Sequence, residues 1–308
     1  MKILLTGASS FTGMHIVEAL LEKGHDVYCT TTTMTRNSLS ASRLNRLKNA
    51  VSIIDDCPFG SARFLDVISK ISFDIFWHHG AWTQEYRSWD FDLHAAIQSN
   101  TFNIHQILKQ LSANGCQHCV LTGSIFEGQD LNKPFTPYGL SKHLTRQIFE
   151  LYCTQHTIQL GYVVIPNPFG EWDNPKLLDH LLRHWLQDEI PSIFAPETIR
   201  DNIPVDLLAM AAADWLAQWV KGQSDSIFRP SGYVSTMAEF VERTAQRFQD
   251  LYNLPAPFTL NHRAHHQPST LINSQNLFRQ YPQWNEEDFW QRTFSYHHAQ
   301  ISPRKTQH

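Results

Sequence analysis

The sequence of 308 residues predicts an α/β fold, a doubly wound parallel sheet followed by a small C-terminal lobe. Short apolar runs, which predict buried strands, alternate with segments whose apolar residues recur at helical spacing. This alternation is typical of βαβ units. Because such units connect parallel strands through right-handed crossovers, they place helices on both faces of one sheet.

The first βαβ unit has the clearest pattern. The strand predicted at Lys2–Thr6 is an apolar run that stops at Gly7, and the helix predicted at Phe11–Lys23 has Gly24 placed to end it. The other predicted strands are Asp26–Thr31, Val51–Ile54, Phe73–Trp77, Cys119–Thr122 and Leu160–Ile165. The other predicted helices are Ala41–Lys48, Ser61–Ile71, a single long helix over Phe91–Ala113, and Tyr138–His156.

The alternation stops after residue 165, where several prolines between Pro166 and Pro204 break the chain into helices and short loops. We therefore expect residues 1–165 to form one domain and residues 166–308 to form mainly a smaller lobe. Some segments of this lobe are expected to return to the sheet.

Composition excludes several classes of protein. Hydrophobic residues make up 42% and charged residues 18%, which excludes a disordered or collagen-like chain. The net charge is −4 without a basic block, so nucleic acid is not an expected partner. No apolar stretch reaches the ~20 residues of a membrane span, and the N-terminus does not resemble a signal peptide. We expect a cytoplasmic protein whose five cysteines form no disulfide framework.

The turn after the first strand has the sequence Thr6-Gly7-Ala8-Ser9-Ser10-Phe11-Thr12-Gly13. Glycines in such a turn permit a tight bend and let a diphosphate approach the helix N-terminus, where free N–H groups and the helix dipole favour anions. The turn therefore predicts a dinucleotide site. The alternative is an ordinary strand–turn–helix capped by serine.

A second motif, Tyr138-Gly139-Leu140-Ser141-Lys142, places Tyr138 and Lys142 on one helix face. A tyrosine begins with a pKa of ~10, and a nearby ammonium group favours the phenolate that general-base catalysis requires. This spacing often arises by chance as a surface pair. Its position one element after the fifth strand favours an active site.

Together these motifs resemble the extended short-chain dehydrogenases/reductases, a Rossmann-type family that includes nucleotide-sugar epimerases, dehydratases and ketoreductases. The resemblance covers about residues 1–245 and is weaker to about residue 295. Further segments match in the family's order: His78-His79-Gly80-Ala81 to its H-x-A-A segment, Asn100 to the Asn of its fourth helix, Leu121–Glu127 to its catalytic Ser/Thr segment, Pro166–Gly170 to R-x-x-N-x-Y-G-P, and Arg200–Val205 to R-D-F-x-Y-V.

The resemblance implies roles for individual residues. Tyr138 would transfer a proton, Thr122 would hydrogen-bond the same sugar oxygen, and Lys142 would lower the pKa of Tyr138 and bind the nicotinamide ribose. The implied cofactor contacts are Gly7, Ser9, Ser10, Phe11, Thr12, Gly13, Thr31, Arg36, Asp56, His78, Gly80, Asn100, Lys142 and Pro166. The implied substrate contacts are Ser124, Asn167 and Arg200. No metal site is expected.

Departures from the family pattern narrow the expected activity. Ser10 replaces a glycine of the turn, and its Cβ crowds the phosphates, although its hydroxyl could donate a hydrogen bond to one of them. Gly123 and Ser124 occupy the positions at which 4,6-dehydratases carry Asp-Glu, so a dehydratase is disfavoured. Asn202 and Pro204 replace aromatic residues near the nucleotide and leave the preferred base open.

The identity of the cofactor depends on the end of the second strand. An acid there would bind the ribose 2′-hydroxyl and repel a 2′-phosphate. This chain has four threonines, Thr30 to Thr33, followed by Arg36. Hydroxyls and a cation favour NADP over NAD, although the segment is alternatively only a polar loop.

The sequence thus predicts an NAD(P)-dependent oxidoreductase or epimerase for a nucleotide-activated sugar, with a homodimer possible. One alternative is an NADPH-dependent ketone reductase for a non-sugar substrate. Another is a non-catalytic NADP-sensing protein, which would not need Tyr138 and Lys142.

Overall fold

The computed structural model describes residues 1–32, 38–128, 134–262 and 270–301. Its strands are β1 (Lys2–Thr6), β2 (Asp26–Thr30), β3 (Ser52–Ile54), β4 (Ile75–His78), β5 (His118–Ser124), β6 (Gln159–Ile165), β7 (Asn167–Phe169), β8 (Ser192–Phe194), β9 (Ile199–Pro204), β10 (Ile227–Phe228), β11 (Pro230–Ser231), β12 (Tyr233–Thr236), β13 (Thr259–Asn261), β14 (Thr270–Leu271) and β15 (Gln275–Asn276). Its helices are α1 (Phe11–Glu22), α2 (Ser38–Leu47), α3 (Ala62–Lys70), α4 (Leu93–Thr101), α5 (Ile104–Ala113), α6 (Pro137–Gln155), α7 (Leu177–Trp185), α8 (Val205–Trp219), α9 (Met237–Tyr252), α10 (Leu277–Gln280) and α11 (Glu286–Ile301).

The chain divides into two compact units. Unit 1 comprises Met1–Ile165 and Leu208–Pro230, and unit 2 comprises Pro166–Leu207 and Ser231–His308. Most of α8 therefore belongs to unit 1, as does β10, which pairs in parallel with β6. Among the described residues, no helix combines the length and the hydropathy needed to cross a membrane.

Unit 1 is built on a seven-stranded sheet with the order β10-β6-β5-β4-β1-β2-β3, and each of its pairings is parallel. This is the expected doubly wound sheet. Its central strands are continuous apolar runs because helices cover both faces. Leu4, Phe76 and Leu121 from neighbouring strands belong to a buried core that also contains Ile107 of α5 and Phe149 of α6.

The single long helix expected over Phe91–Ala113 is wrong. The structure has two helices, α4 and α5, and Asn103 between them adopts a left-handed conformation with φ of 57°. Its side-chain amide donates a 2.8 Å hydrogen bond to the carbonyl of Gly60. This long-range contact fixes the break, and asparagine tolerates the left-handed region better than most residues do.

Unit 2 contains a small sheet around β9, which pairs with β7 and β14 in parallel and with β12 antiparallel. The helices α7, α9 and α11 supply an aromatic core. Its largest buried side chains are Trp185, Phe240, Phe248, Phe289, Trp290 and Phe294. A second, two-stranded sheet joins β8 to β13.

Candidate active site

The central strands β1 and β4 lie side by side, and the strand order reverses between them. In doubly wound sheets, ligands bind at the carboxyl ends of the strands where this reversal occurs. Here those ends carry Gly7 and the His79-Gly80 pair. The Gly80 N–H donates to the hydroxyl of Thr6 at 3.0 Å, so the two loops are joined at the expected cofactor site.

The turn after β1 has no room for side chains at its glycines. Gly7 has φ of +82°, and a Cβ added there would lie 2.7 Å from the backbone of Gly80. A Cβ at Gly13 would lie 2.2 Å from the carbonyl oxygen of Gly7. Ser10 caps α1, and its Oγ accepts the N–H of Gly13 at 3.0 Å. A tight turn that ends at a capped helix N-terminus fits a diphosphate.

Two more predicted cofactor residues of this turn, Ser9 and Phe11, lie beside the buried side chain of Arg43. Arg43 of α2 is 2% exposed. Its guanidinium lies 6.0 Å from the ring centroid of Phe11 and 3.4 Å from the carbonyl oxygen of Ser9. A buried cation thus stands beside the turn, where it favours an anionic ligand.

His79 connects the turn to strand β5. Its Nδ1 lies 3.0 Å from the hydroxyl of Thr122. Its Nε2 lies 3.0 Å from the hydroxyls of both Ser10 and Thr12. The sequence did not single out this residue, because in the family segment it occupies the variable position. The missed signal was a second polar residue beside His78 at the end of a buried strand.

His78 and Asn100 make contacts within the protein. The ring of His78 lies between Phe59 and Phe149, at centroid distances of 4.1 and 5.3 Å. Its Nδ1 is 3.0 Å from the hydroxyl of Thr6. Asn100 is buried, and its Oδ1 accepts the Trp82 N–H at 2.9 Å, which fixes the loop after β4. Their roles as cofactor contacts stay predictions.

An acid from another segment contacts the residue that follows β2, a contact that the sequence does not reveal. The hydroxyl of Thr31 donates a 2.8 Å hydrogen bond to the carboxylate of Asp55, which follows the neighbouring strand β3. Asp56, the predicted adenine contact, is exposed and has φ of 52°. Arg36, on which the expected NADP preference partly rested, lies outside the described residues.

Tyr138 and Lys142 lie in the first turns of α6. Thr136 caps this helix by accepting the Gly139 N–H at 2.9 Å, and Pro137 is its first residue. Three aromatic rings surround Tyr138 edge-on at 5.4 to 6.1 Å, those of Tyr86, Phe91 and Phe126. Lys142 is 4% exposed. The predicted pair is therefore enclosed by aromatic rings on the side of Tyr138 and buried on the side of Lys142, within unit 1.

Ser124 is the hydroxyl that lies beside Tyr138. Its side chain lowers the pKa of Tyr138, whereas burial, Tyr86 and Glu127 raise it. The hydroxyl of Thr122 instead accepts the indole N–H of Trp77 at 3.0 Å and contacts His79. The catalytic role expected for Thr122 stays a prediction, and Ser124 is a second candidate for that role.

The charges around this pair differ from the expectation. Burial, Tyr86 and Glu127 raise the pKa of Tyr138 above its usual value, so the net lowering expected from Lys142 is wrong for this structure. Burial also lowers the pKa of Lys142 to about 8, which Glu127 opposes. Removing a charge from water disfavours the charged form of either group.

Glu127 is a fully buried acid. Its Oε1 accepts the Ser124 N–H at 2.8 Å and the Tyr162 hydroxyl at 2.5 Å. Burial raises the pKa of Glu127, against the lowering effects of Tyr162, Ser124, Lys142 and Arg146. The sequence alone indicates no role for Glu127, because its partners are distant in sequence. They lie on β5, β6 and α6 and come together only when the chain folds.

In unit 2, the predicted substrate residues lie on neighbouring strands. Asn167 of β7 pairs in register with Asn202 of β9, and their side-chain amides hydrogen-bond each other. Arg200 is two residues before Asn202 and therefore on the same face of the strand. The Nδ2 of Asn202 is buried and has no hydrogen-bond partner among the described residues. Pro166, the remaining predicted cofactor contact, joins β6 to β7.

Comparisons with known proteins give consistent results. The model of the family described as "NAD dependent epimerase/dehydratase family" matches residues 3–221, well over half of the chain. A Methanocaldococcus jannaschii protein, provisionally assigned as a UDP-glucose 4-epimerase, is 25% identical over 69% of this chain and 73% of its own length.

Solved structures show the same fold. A Bacillus cereus UDP-glucuronic acid 4-epimerase in complex with UDP-4-deoxy-4-fluoro-glucuronic acid and NAD is 15% identical, with a TM-score of 0.77 over 97% of this chain and 100% of that one. A Thermotoga maritima UDP-glucose 4-epimerase with UDP-glucose is 15% identical, with a TM-score of 0.74 over 98% of this chain and 100% of that one. These likenesses support the doubly wound fold.

Proposed function

Because the chain belongs to the NAD dependent epimerase/dehydratase family, within the extended short-chain dehydrogenases/reductases expected from its sequence, we propose that it is an NAD-dependent epimerase of a nucleotide-activated sugar. The family consists of enzymes that use a nicotinamide cofactor. The specific activity, substrate and residue roles given below are our proposal.

The observation that carries the proposal is the convergence of Tyr138, Lys142 and Ser124 in unit 1. The Ser124 hydroxyl lies close enough to the Tyr138 phenol to lower its pKa, and Lys142 is buried one helical turn farther along α6. A phenol beside a second hydroxyl is suited to exchange a proton with a sugar hydroxyl.

In this mechanism Tyr138 takes the proton from the sugar hydroxyl and later returns it. Ser124 holds the same oxygen by a hydrogen bond. Lys142, which is buried one turn along α6, would bind the nicotinamide ribose. When bound, the nicotinamide supplies the hydride exchange with the sugar carbon. The residues of the glycine turn hold the diphosphate at the N-terminus of α1.

We propose NAD as the cofactor and do not retain the preference for NADP. Asp55 is bonded to Thr31 at the end of β2, where a carboxylate favours a ribose 2′-hydroxyl and repels a 2′-phosphate. The related structure from Bacillus cereus is described with NAD. In this proposal the segment after the neighbouring strand β3 supplies the acid that selects NAD.

Dehydratase activity is disfavoured by the space around Gly123. A Cβ at this position would lie 2.2 Å from the hydroxyl of Tyr162, so a carboxylate does not fit there. The nearby acid Glu127 is 0% exposed and its Oε1 is bonded twice. Neither position offers a free proton shuttle for eliminating water.

The nucleotide diphosphate is assigned to Arg200 and Asn167 of unit 2. The planar guanidinium of arginine can bind phosphate oxygens with two parallel hydrogen bonds. The named relatives act on or are complexed with UDP-sugars, so a UDP-sugar is the first substrate to test. The homodimer and the cytoplasmic location expected from the sequence stay predictions.

The test is to incubate the protein with catalytic NAD and a UDP-sugar, such as UDP-glucose or UDP-glucuronic acid, and to follow the sugar protons by NMR. We expect the 4-epimer to appear without net consumption of cofactor, and Tyr138→Phe to abolish it. A ketone reductase would consume reduced cofactor stoichiometrically. A non-catalytic sensor would bind cofactor and convert no substrate tested.

A further inference from the structure

His79 is the junction of a hydrogen-bond chain that runs through unit 1. It lies directly after β4 and is 8% exposed. On one side its Nδ1 is 3.0 Å from the Thr122 hydroxyl, which already accepts the Trp77 indole N–H at 3.0 Å. On the other side its Nε2 is 3.0 Å from the hydroxyls of both Ser10 and Thr12.

The ring of His79 is neutral and so carries one N–H. Burial and the nearby Lys142 lower its pKa to about 3, and a neutral imidazole has one donor and one acceptor nitrogen. Two hydroxyl oxygens at equal distances suit a shared N–H, because one hydrogen is commonly divided between two acceptors. The acceptor nitrogen, with a single lone pair, suits the one hydroxyl of Thr122.

We propose that His79 is a positioning residue for the cofactor diphosphate, with its hydrogen on Nε2 donated to the hydroxyls of Ser10 and Thr12. Ser10 Oγ then accepts from both the Gly13 N–H and the His79 N–H. With both lone pairs occupied, its own hydrogen is left for an outside acceptor. The Ser10 hydroxyl thereby becomes a donor to an anion at the N-terminus of α1, and the Thr12 hydroxyl, which accepts from the same N–H, also keeps its own hydrogen.

This arrangement gives a reason for serine at a position where glycine is usual in the family. Without His79, a serine side chain would crowd a phosphate and its hydroxyl could point in any direction. With His79, the Ser10 oxygen accepts a second hydrogen bond in addition to that from Gly13, and its own hydrogen points to the ligand. In the same hydrogen-bond chain Thr122 donates its hydrogen to His79 Nδ1. Ser124 is then the hydroxyl that remains for Tyr138.

The inference rests on the proposed nicotinamide cofactor but not on sugar turnover. Its first test is the ¹⁵N spectrum of the His79 ring in the protein with and without NAD, assigned by difference from His79→Phe. We expect a pyrrole-type Nε2 and a pyridine-type Nδ1. The opposite assignment, or a doubly protonated ring at neutral pH, would overturn the proposal.

The second test compares the affinity of ADP with that of adenosine by calorimetry. We expect His79→Phe and Ser10→Ala to weaken ADP by about tenfold, since each loses hydrogen bonding to a charged group, and to leave adenosine unchanged. Thr145→Ser is the matched control away from the turn. Equal weakening of both ligands would mean that His79 only supports the fold. Failure of sugar turnover with these results intact would reject the proposed activity and not this role.

Discussion

The phenol of Tyr162 donates a 2.5 Å hydrogen bond to the buried carboxylate of Glu127, and thereby connects β6 to the end of β5. The same carboxylate oxygen accepts the backbone N–H of Ser124 at 2.8 Å. The Ser124 hydroxyl lowers the pKa of Tyr138, and the Glu127 carboxylate raises it. A fully buried acid therefore holds the backbone of Ser124 and raises the proton affinity of the proposed base.

We expect Glu127→Gln to move the rising limb of kcat/KM to lower pH. In the proposed mechanism the phenolate of Tyr138 is the active base, so activity appears as pH rises through the pKa of Tyr138. The amide removes a negative charge that raises this pKa, while its oxygen can still accept the Ser124 N–H. The pH–rate profile is the measurement, and Tyr162→Phe, which keeps the carboxylate, is the control. A fall in Tm with an unmoved limb would contradict the electrostatic role.

Tyr138→Phe should leave the fold and cofactor affinity intact and remove most of the turnover. A general acid–base group contributes about 10²- to 10⁴-fold to rate. The surrounding rings of Tyr86, Phe91 and Phe126 can accept phenylalanine, because they contact the tyrosine ring edge-on. Kinetics combined with NAD titration measure both effects. Turnover within a few-fold of wild type would remove Tyr138 from the mechanism.

The hydroxyls of Ser124 and Thr122 can be separated by a pair of variants. Ser124→Ala should lower kcat strongly, because it removes the hydroxyl that lowers the pKa of Tyr138. Thr122→Val should mainly lower stability, by ~1–3 kcal/mol, since it leaves the buried Trp77 N–H without an acceptor. Denaturant unfolding and kcat are measured for both variants. A large loss of kcat in Thr122→Val, with stability unchanged, would instead support the catalytic role that the sequence predicts for Thr122.

Arg200→Ala should raise KM for the nucleotide sugar while cofactor affinity and Tm stay near wild type. Losing charge-assisted hydrogen bonds to a diphosphate costs ~1.5–3 kcal/mol, or roughly 10- to 150-fold in affinity. Arg200→Lys should recover only part of this, because a point charge cannot supply two parallel bonds. Steady-state kinetics measure the effect. An unchanged KM would show that the substrate is held elsewhere.

Calorimetry should show tighter binding of NAD than of NADP. A 2′-phosphate near Asp55 would meet a like charge, which at about 4 Å costs ~1–4 kcal/mol depending on exposure. Asp55→Asn keeps an oxygen that can accept from Thr31 and should narrow the difference by about tenfold. If wild type prefers NADP, or if the variant leaves the ratio unchanged, Asp55 does not determine the choice.

Local patterns made much of this molecule predictable. The apolar run of β1, the turn at Gly7 and the spacing of Tyr138 and Lys142 are each written in a few consecutive residues. Burial and capping then produce the expected strand and helices. The family resemblance confirmed by the comparisons rests on the order of these same motifs.

The parts that were missed depend on contacts between distant segments. Asn103 breaks the expected long helix because its side chain reaches Gly60. Asp55 matters because β2 and β3 pair in a register that brings it to Thr31. The contacts of His79 exist only because the fold brings the turn after β1 close to β5. No window of neighbouring residues contains these relationships.

All five cysteines lie in unit 1 and are buried as free thiols. Burial raises the pKa of Cys29 and Cys116 to about 12 and that of Cys57 to about 11. The thiolate is the reactive form, so an alkylating reagent can modify these residues only when the surrounding structure opens. Labelling kinetics followed by mass spectrometry would therefore report how often unit 1 opens, cysteine by cysteine, with no signal from unit 2.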